Sequence, residues 1–407
     1  MAENEKLVPQ RRFREFQNTQ VWEQRKFKDF TKLSQGLQIA ISERYIEPGE
    51  SREFYITNEF LNSKSNKKYY IENASKNVIA DEKDILMTRT GNTGEVVTDT
   101  KGAFHNNFFK IAYNSDETAK LFLYYLLNSA PIQKDILVRA GTSTIPDLNH
   151  NDFYEIKVAT PKFEEQQRIG SFFKQIDDAI ALHQRKLEKT KELKYAYLSE
   201  MFPSKGESKP KRRFAGFTDA WEQGKIGDFG YFYYGKSAPK WSVTQNAKTP
   251  CVRYGELYTK YSEKIDMIYS YTNIPRENLK FSTGKEVLVP RVGEEPLDFA
   301  NCSWLSMPDV AIGEMISVYN TEQNPLFTTY MFNGLLKHEF AKRVEGGNVS
   351  NLYYAYLEDI PLSFPSIDEQ IKITTFFDSL TNLITLHQRK LEKLQNIKKA
   401  FLNEMFV

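Results

Sequence analysis

The chain has very little cysteine. Only Cys251 and Cys302 occur in 407 residues, both in the second half. A disulfide framework or a cysteine-rich zinc cluster is therefore not expected, and a reducing, cytoplasmic setting is the default. Long apolar runs are also missing. Nothing approaches the roughly 18 consecutive apolar residues of a membrane span, and the opening Met-Ala-Glu-Asn-Glu-Lys lacks the apolar core of a signal peptide. Charge of one sign is missing as well: 55 basic residues stand against 53 acidic ones, for a net +2. The total neither demands nor excludes nucleic acid, because a patch on one face does not show in a sum. Catalytic signatures are absent too. There is no Walker A string, no Asn-Pro-Pro-Tyr or Asp-Pro-Pro-Tyr of amino-methyltransferases, and no glycine-rich dinucleotide fingerprint.

What is present is duplication. His183-Gln184-Arg185-Lys186-Leu187-Glu188-Lys189 returns unchanged as His387-Gln388-Arg389-Lys390-Leu391-Glu392-Lys393, an offset of 204 positions. At the same offset Glu165-Gln166, Phe172-Phe173 and Glu200-Met201-Phe202 return as Glu369-Gln370, Phe376-Phe377 and Glu404-Met405-Phe406. A second repeat links Arg12-Phe13 and Trp22-Glu23-Gln24 with Arg213-Phe214 and Trp221-Glu222-Gln223. The period is far above the 20–50 residues of solenoid arrays, so the unit is a whole domain with its helix. The order is also circular: the segment after the first helix resembles the one that opens the chain, which predicts that the two chain ends meet.

Residues 163–202 and their copy read as one long helix each, preceded by Pro161 and Pro365. Heptad-type positions in steps of four and three hold Ile169, Phe173, Ile176, Ile180, His183 and Leu187, then Ile373, Phe377, Leu380, Ile384, His387 and Leu391. This is a coiled-coil seam, and the natural partner of each helix is the other. Thr190 and Lys194 make the first seam poorer than the second, where Leu394 replaces Thr190. The histidines on the seam are read as packed side chains, not metal ligands. Residues 27–160 and 226–364 carry short apolar runs and turn signals, with short helices expected at 117–128 and 326–343. They share a frame, Lys83-Asp84-Ile85-Leu86 with Arg89 against Lys285-Glu286-Val287-Leu288 with Arg291, but differ in detail.

This whole pattern, Trp-Glu-Gln, a variable region, Glu-Glu-Gln-Gln-Arg-Ile-Gly-Ser-Phe-Phe and His-Gln-Arg-Lys-Leu-Glu-Lys, repeated, resembles the specificity subunit of type I restriction–modification systems. The resemblance implies an α+β fold: two mixed α/β target-recognition domains separated by a long antiparallel two-helix coiled coil, with internal pseudo-two-fold symmetry. The expected segments are 1–160 (opening segment and first recognition domain), 161–203 (first helix), 204–223 (linker and repeated opening segment), 224–364 (second recognition domain) and 365–407 (second helix). It also implies a non-catalytic subunit whose domains each read half of a bipartite duplex DNA target. Two modification (methyltransferase) subunits and, through them, restriction subunits would be its partners. S-adenosylmethionine, ATP and magnesium would reside on those partners and no cofactor on this chain.

DNA contact requires basic side chains for phosphates and Arg, Asn, Gln or Ser for base edges. The candidates in the first domain are Arg44, Lys67, Lys68, Arg89, Asn92, Arg139, Thr142 and Ser143. In the second they are Lys236, Lys240, Trp241, Arg253, Tyr254, Arg291, Arg343 and Asn348. Arg89 and Arg291 stand at equivalent positions after a strand. No catalytic residue and no metal ligand is assigned. Two other readings are open: a metal-dependent nuclease built on Pro146-Asp147 and Glu155-Ile156-Lys157, and a coiled-coil scaffold that never touches DNA. The second copy lacks the nuclease string, since Asn351 and Pro361 replace its aspartate and lysine.

Overall fold

A computed structural model describes residues 7–62, 64–141, 145–203, 207–236, 238–244, 246–347 and 350–407. The chain forms two compact units, Met1–Arg185 with Gln388–Val407, and Lys186–His387. The unit boundaries fall inside the two long helices, Phe163–Glu200 and Ile367–Glu404, of 38 residues each. At 1.5 Å per residue each helix is about 57 Å long.

In unit 1, Glu23–Lys26 pairs antiparallel with Lys157–Thr160. A four-stranded antiparallel sheet runs Thr31–Gln35, Phe108–Tyr113, Ile85–Thr88, Val96–Thr98. Every residue of Ile85–Thr88 is buried, as a strand covered on both faces requires. A second sheet runs Tyr69–Glu72, Arg52–Ile56, Gly102–Phe104, Ile79–Ala80, with Arg52–Ile56 and Gly102–Phe104 parallel. The helices Lys120–Leu127, Ala130–Ala140 and His150–Tyr154 follow. The last is capped by Asn149, whose Oδ1 accepts from Asp152 N at 2.9 Å.

Unit 2 repeats this plan. Glu222–Lys225 pairs with Pro361–Phe364. Gly230–Tyr234, Ile316–Thr321, Glu286–Pro290, Ser303–Leu305 and Lys264–Ile265 form a five-stranded sheet. Ser270–Thr272, Thr249–Val252, Pro308–Ile312 and Phe281–Thr283 form the second sheet. The single helix expected over 326–343 is two, Pro325–Asn333 and Lys337–Ala341, broken at Gly334. The strand Thr249–Val252 stops there because Arg253 is the N-cap of the helix Tyr254–Thr259.

The repeated frame has physical causes. Asp84 Oδ2 accepts from Asp81 N at 2.9 Å, and buried Glu286 accepts from Thr283 N, Gly284 N and Lys285 N at 2.8, 2.9 and 3.0 Å. Each carboxylate closes the turn into its central strand. Gly36 and Gly235 end the edge strands where another chain segment crosses. A Cβ there would lie 2.1 Å from Phe104 O and 2.1 Å from Gly313 O, so only glycine fits.

The helices pack in the same way in both units. In unit 1, Ile169, Phe173 and Ile176 share a core with Phe122, Met405 and Phe406. Ring contacts join Phe172 to Phe401 and Phe173 to Phe406 at 5.3 and 5.8 Å. In unit 2, Tyr197 meets Phe376 and Phe202 meets Phe377 at 4.9 and 6.1 Å. Residues early in one helix thus meet residues late in the other within each unit, which is antiparallel pairing. The seam is continuous with the globular cores: Ile373, Phe377 and Leu380 belong to the unit 2 core beside Phe327 and Tyr330. Ile180, His183, Ile384, His387 and Leu391 are half-buried, whereas Leu187 is buried.

The expectation that Lys194 weakens the seam needs correction. Its Nζ pairs with Glu263 at 2.6 Å and lies 5.5 Å from the Tyr330 ring centre. The copy Lys398 pairs with Asp177 at 2.6 Å over Tyr125, and Tyr125 Oη donates to the same carboxylate at 2.7 Å. Both lysines tie a helix to a neighbouring carboxylate, a pairing that no heptad pattern reveals.

Candidate nucleic-acid interface

Each unit begins with a clamp. Arg12 donates from Nε and Nη2 to the two oxygens of Glu165, both at 2.7 Å. Arg213 binds Glu369 in the same bidentate way at 2.6 and 2.7 Å. Glu165 and Glu369 are both buried. These are fork-on-carboxylate pairs, and the Glu369 pairing raises the Arg213 pKa further. They fasten the opening segment to the start of a long helix. Trp22 Nε1 adds a third bond to Glu165 at 3.3 Å, whereas the buried Trp221 Nε1 has no partner. Both halves of each clamp lie in the sequence repeats, but nothing in the sequence joins Arg12 to a glutamate 153 positions away.

The equivalence of Arg89 and Arg291 holds in the backbone. Arg89 N donates to Asn107 O at 2.7 Å and its carbonyl accepts from Leu148 N at 2.8 Å. Arg291 N donates to Met315 O at 3.0 Å and its carbonyl accepts from Leu352 N at 2.9 Å. The side chains differ. Arg89 Nη2 binds Asp147 at 2.7 Å and Nε donates to Leu148 O at 3.3 Å. Arg291 lies over the Tyr234 ring at 4.8 Å, and its buried Nε has no hydrogen-bond partner.

The other candidates sit in different settings. Arg44 is turned inward: both Nε and Nη2 donate to Ile39 O, and its guanidinium lies over Tyr55 and Tyr69. Arg139 is paired along its helix with Asp135, and Arg343, just past the helix Lys337–Ala341, with Glu339. Lys67 and Lys68 are exposed between Asn58–Leu61 and Tyr69–Glu72. Asn92 is exposed in the turn after Arg89, and Lys236 and Lys240 are exposed in unit 2. Trp241 is 73% exposed and Tyr254 37%. Arg253 is half-buried. Thr142, Ser143 and Asn348 lie outside the described residues.

The residues of the nuclease-like string are engaged separately. Asp147 is held by Arg89. Glu155 is pushed down to about 2 by hydrogen bonds from Lys26 and Lys28, the second at 2.8 Å. Among the described residues no group of three or more His, Cys, Asp or Glu gathers as metal ligands would. No helix of the described residues is long and apolar enough to cross a membrane.

Residues 20–192 and again 218–396 match the type I restriction modification DNA specificity domain. The chain belongs to this family. The MjaVIII type I restriction enzyme specificity subunit of Methanocaldococcus jannaschii is 22% identical over 399 residues, covering 94% of this chain and 91% of its own length. The MjaIX specificity subunit of the same organism is 21% identical, with 79% and 76% covered. In solved structures, the type I restriction–modification S subunit of M. genitalium superposes with a TM-score of 0.64 at 16% identity, over 98% of this chain and 99% of that one. A chain from a study of complex assembly and conformational transition of a type I system gives 0.51 at 15% identity, over 94% and 96%. The specificity fold is therefore present twice, with one target-recognition domain in each unit.

Proposed function

We propose that the chain is the non-catalytic, sequence-reading subunit of a type I restriction–modification complex. Each recognition domain reads one half of a bipartite duplex target. The helices carry the docking surface for two modification subunits and fix the gap between half-sites. Restriction subunits join through the modification subunits. S-adenosylmethionine, ATP and magnesium act on those partners in the cytoplasm. The base to be methylated would be drawn out of the duplex into a partner's site.

One observation carries this reading. Two units share their backbone frame down to equivalent hydrogen bonds, while the side chains on that frame diverge: Arg89 is paired with Asp147 in one, and Arg291 lies over Tyr234 in the other. A common framework with a divergent surface is what two readers of different sequences need.

The test is a domain exchange. Residues 226–364 are replaced by those of a relative, the subunit is assembled with its modification partners, and methylated bases are mapped. One half of the motif should change while the other half and the gap persist. A change in both halves together would break the modular reading, and so would a parent complex that shows no salt-sensitive binding to duplex DNA.

A further inference from the structure

In unit 2 the turn 312–316 joins the strands Pro308–Ile312 and Ile316–Thr321. Three basic residues are attached around it through the backbone. Arg291 N donates to Met315 O at 3.0 Å and Lys236 N to Ile312 O at 2.9 Å. Gly313 N donates to Val252 O at 2.9 Å, the carbonyl just before Arg253. Unit 1 has the same three bonds: Arg89 N to Asn107 O, Leu37 N to Phe104 O, and His105 N to Ile56 O, at 2.7, 3.1 and 2.9 Å. The residues at those places are Arg89, Leu37 and Thr57. At these three places the framework therefore holds three cations in unit 2 and one in unit 1, which is neutralised by Asp147; Arg44, whose charge reaches His105 of the unit 1 turn, is tied to Ile39 O.

No ion pair joins Lys236, Arg253 or Arg291 to a carboxylate among the described residues, although Glu314 lies exposed in the turn and Glu294 and Glu295 follow Gly293. Glu256, beside Arg253, is occupied by Ser270 Oγ and by Arg253 N. The place of Asp147 is taken by neutral Asn351. Arg291 Nε is a buried donor without an acceptor. A second orphan lies on the same sheet face: Ser317 is 1% exposed and its Oγ has no partner. Ser317 pairs in register with Tyr234 and Val289, and Arg291 follows Val289 at the next position on that face. Buried polar atoms left unpaired are costly, and of these two residues only Arg291 is half-buried and so open to an outside group. The guanidinium carbon lies 4.8 Å from the centre of the Tyr234 ring. A guanidinium edge suits a group with two acceptors side by side.

We propose that Arg291, with Lys236 and Arg253 beside it, is a DNA-contact site of unit 2 that unit 1 lacks. It takes a paired-acceptor edge of duplex DNA, either the O6/N7 edge of a guanine or two oxygens of a phosphate. Arg89, its counterpart, is a positioning residue that holds the 146–148 segment. This rests on the specificity-subunit reading above and adds an electrostatic asymmetry between its two recognition domains.

The test uses the full chain assembled with its modification subunits and a duplex carrying the target mapped from methylated bases. Arg291→Ala should weaken binding roughly ten- to a hundredfold. If a guanine is read, the loss disappears when one base pair in the unit 2 half-site is changed, and Arg291→Lys does not rescue. If a phosphate is held, the loss is equal on all sequences, Arg291→Lys rescues in part, and the slope of log affinity against log salt falls by about one. The triple variant Lys236→Ala, Arg253→Ala, Arg291→Ala should lower that slope by about two to three. Arg89→Ala should leave the slope unchanged. Hydrogen exchange in Glu286–Pro290 checks that unit 2 stays folded; Arg291→Gln, which keeps much of the side chain's volume, serves if the alanine variant does not. Parental affinity and slope in the folded Arg291 variant would overturn the proposal, as would an equal loss of slope in Arg89→Ala. A parent complex that does not bind its mapped target would instead sink the specificity reading itself.

Discussion

Unit 1 and unit 2 agree where the chain is buried and part where it is exposed. The clamps Arg12–Glu165 and Arg213–Glu369, the turn-closing carboxylates Asp84 and Glu286, and the glycines Gly36 and Gly235 occupy equivalent places. The side chains around the equivalent turns 104–108 and 312–316 do not correspond. The fold constrains some places and leaves others open. A buried ion pair or a close backbone approach leaves no freedom, so both copies retain it. A half-buried arginine at a strand end can be neutralised in one copy and left open in the other without harm to the sheet.

The clamps give the largest test of this likeness. Removing Glu369, which is fully buried, strands Arg213 and should cost about 3–5 kcal/mol. Glu165→Ala should cost at least as much, because Trp22 Nε1 also loses its acceptor. Hydrogen exchange in Glu222–Lys225 and Glu23–Lys26 reads the two units separately, which matters because two units need not unfold as one. Losses below about 1 kcal/mol, the range of an exposed pair, would show that the opening segments are held by something else.

The seam gives the next contrast. Leu187 is 4% exposed, whereas its copy Leu391 is half-buried. Leu187→Ala should cost about 2–3 kcal/mol. Leu391→Ala should cost clearly less, because its side chain removes less apolar area from water. Thermal unfolding of both variants measures the gap, and equal losses would mean that the seam is evenly packed.

A third test separates the units. Residues 1–208 and 209–407 each hold an opening segment, a recognition domain and a helix. Arg11 pairs with Glu404 and Arg212 with Glu200, so in a symmetric dimer of one fragment Arg212 can take Glu404 and Arg11 can take Glu200. The lysines are equally exchangeable: Lys398 can serve Glu263, and Lys194 can serve Asp177. Both fragments should dimerise. The C-terminal one should be tighter by about tenfold, since Leu394 replaces Thr190 at a half-buried seam position. Sedimentation decides; a tighter N-terminal dimer would contradict the seam.

The smallest effect concerns the neutralised arginine. Burial, and then the charge of Arg89, hold the His150 pKa below its ordinary value. Taking that cation away favours the protonated imidazole, so in Arg89→Ala the His150 titration should move upward toward about 6.5. An unmoved midpoint by NMR would place the Arg89 charge out of reach of the ring.

Much of the architecture is legible in the residues alone. The helix starts after Pro161 and Pro365 are right, and the helices end at Glu200 and Glu404, just before the expected Phe202 and Phe406. A 3.6-residue period sustained over about ten turns overrides local ambiguity. Short segments are harder. No spacing announces the helix Ala130–Ala140, and 326–343 reads as one helix across Gly334, because short segments take their form from packing more than from propensity. Among the candidate contacts, Arg44 illustrates the limit: its residue type suits DNA, but its guanidinium binds Ile39 O and two tyrosine rings.

The duplication, the two long helices, their seam and the repeated frame of the recognition domains are written in the residues, because each depends on residue type at short, regular spacing. Which cations are left open to act depends on the folded arrangement. Arg89 is neutralised by a carboxylate 58 positions away, and Lys194 by one 69 positions away. Arg291 meets no such partner among the described residues. Neutralisation is a matter of a few ångströms in space, since a charge pair gains its energy only at contact, and no periodicity along the chain records which distant residues the fold brings that close.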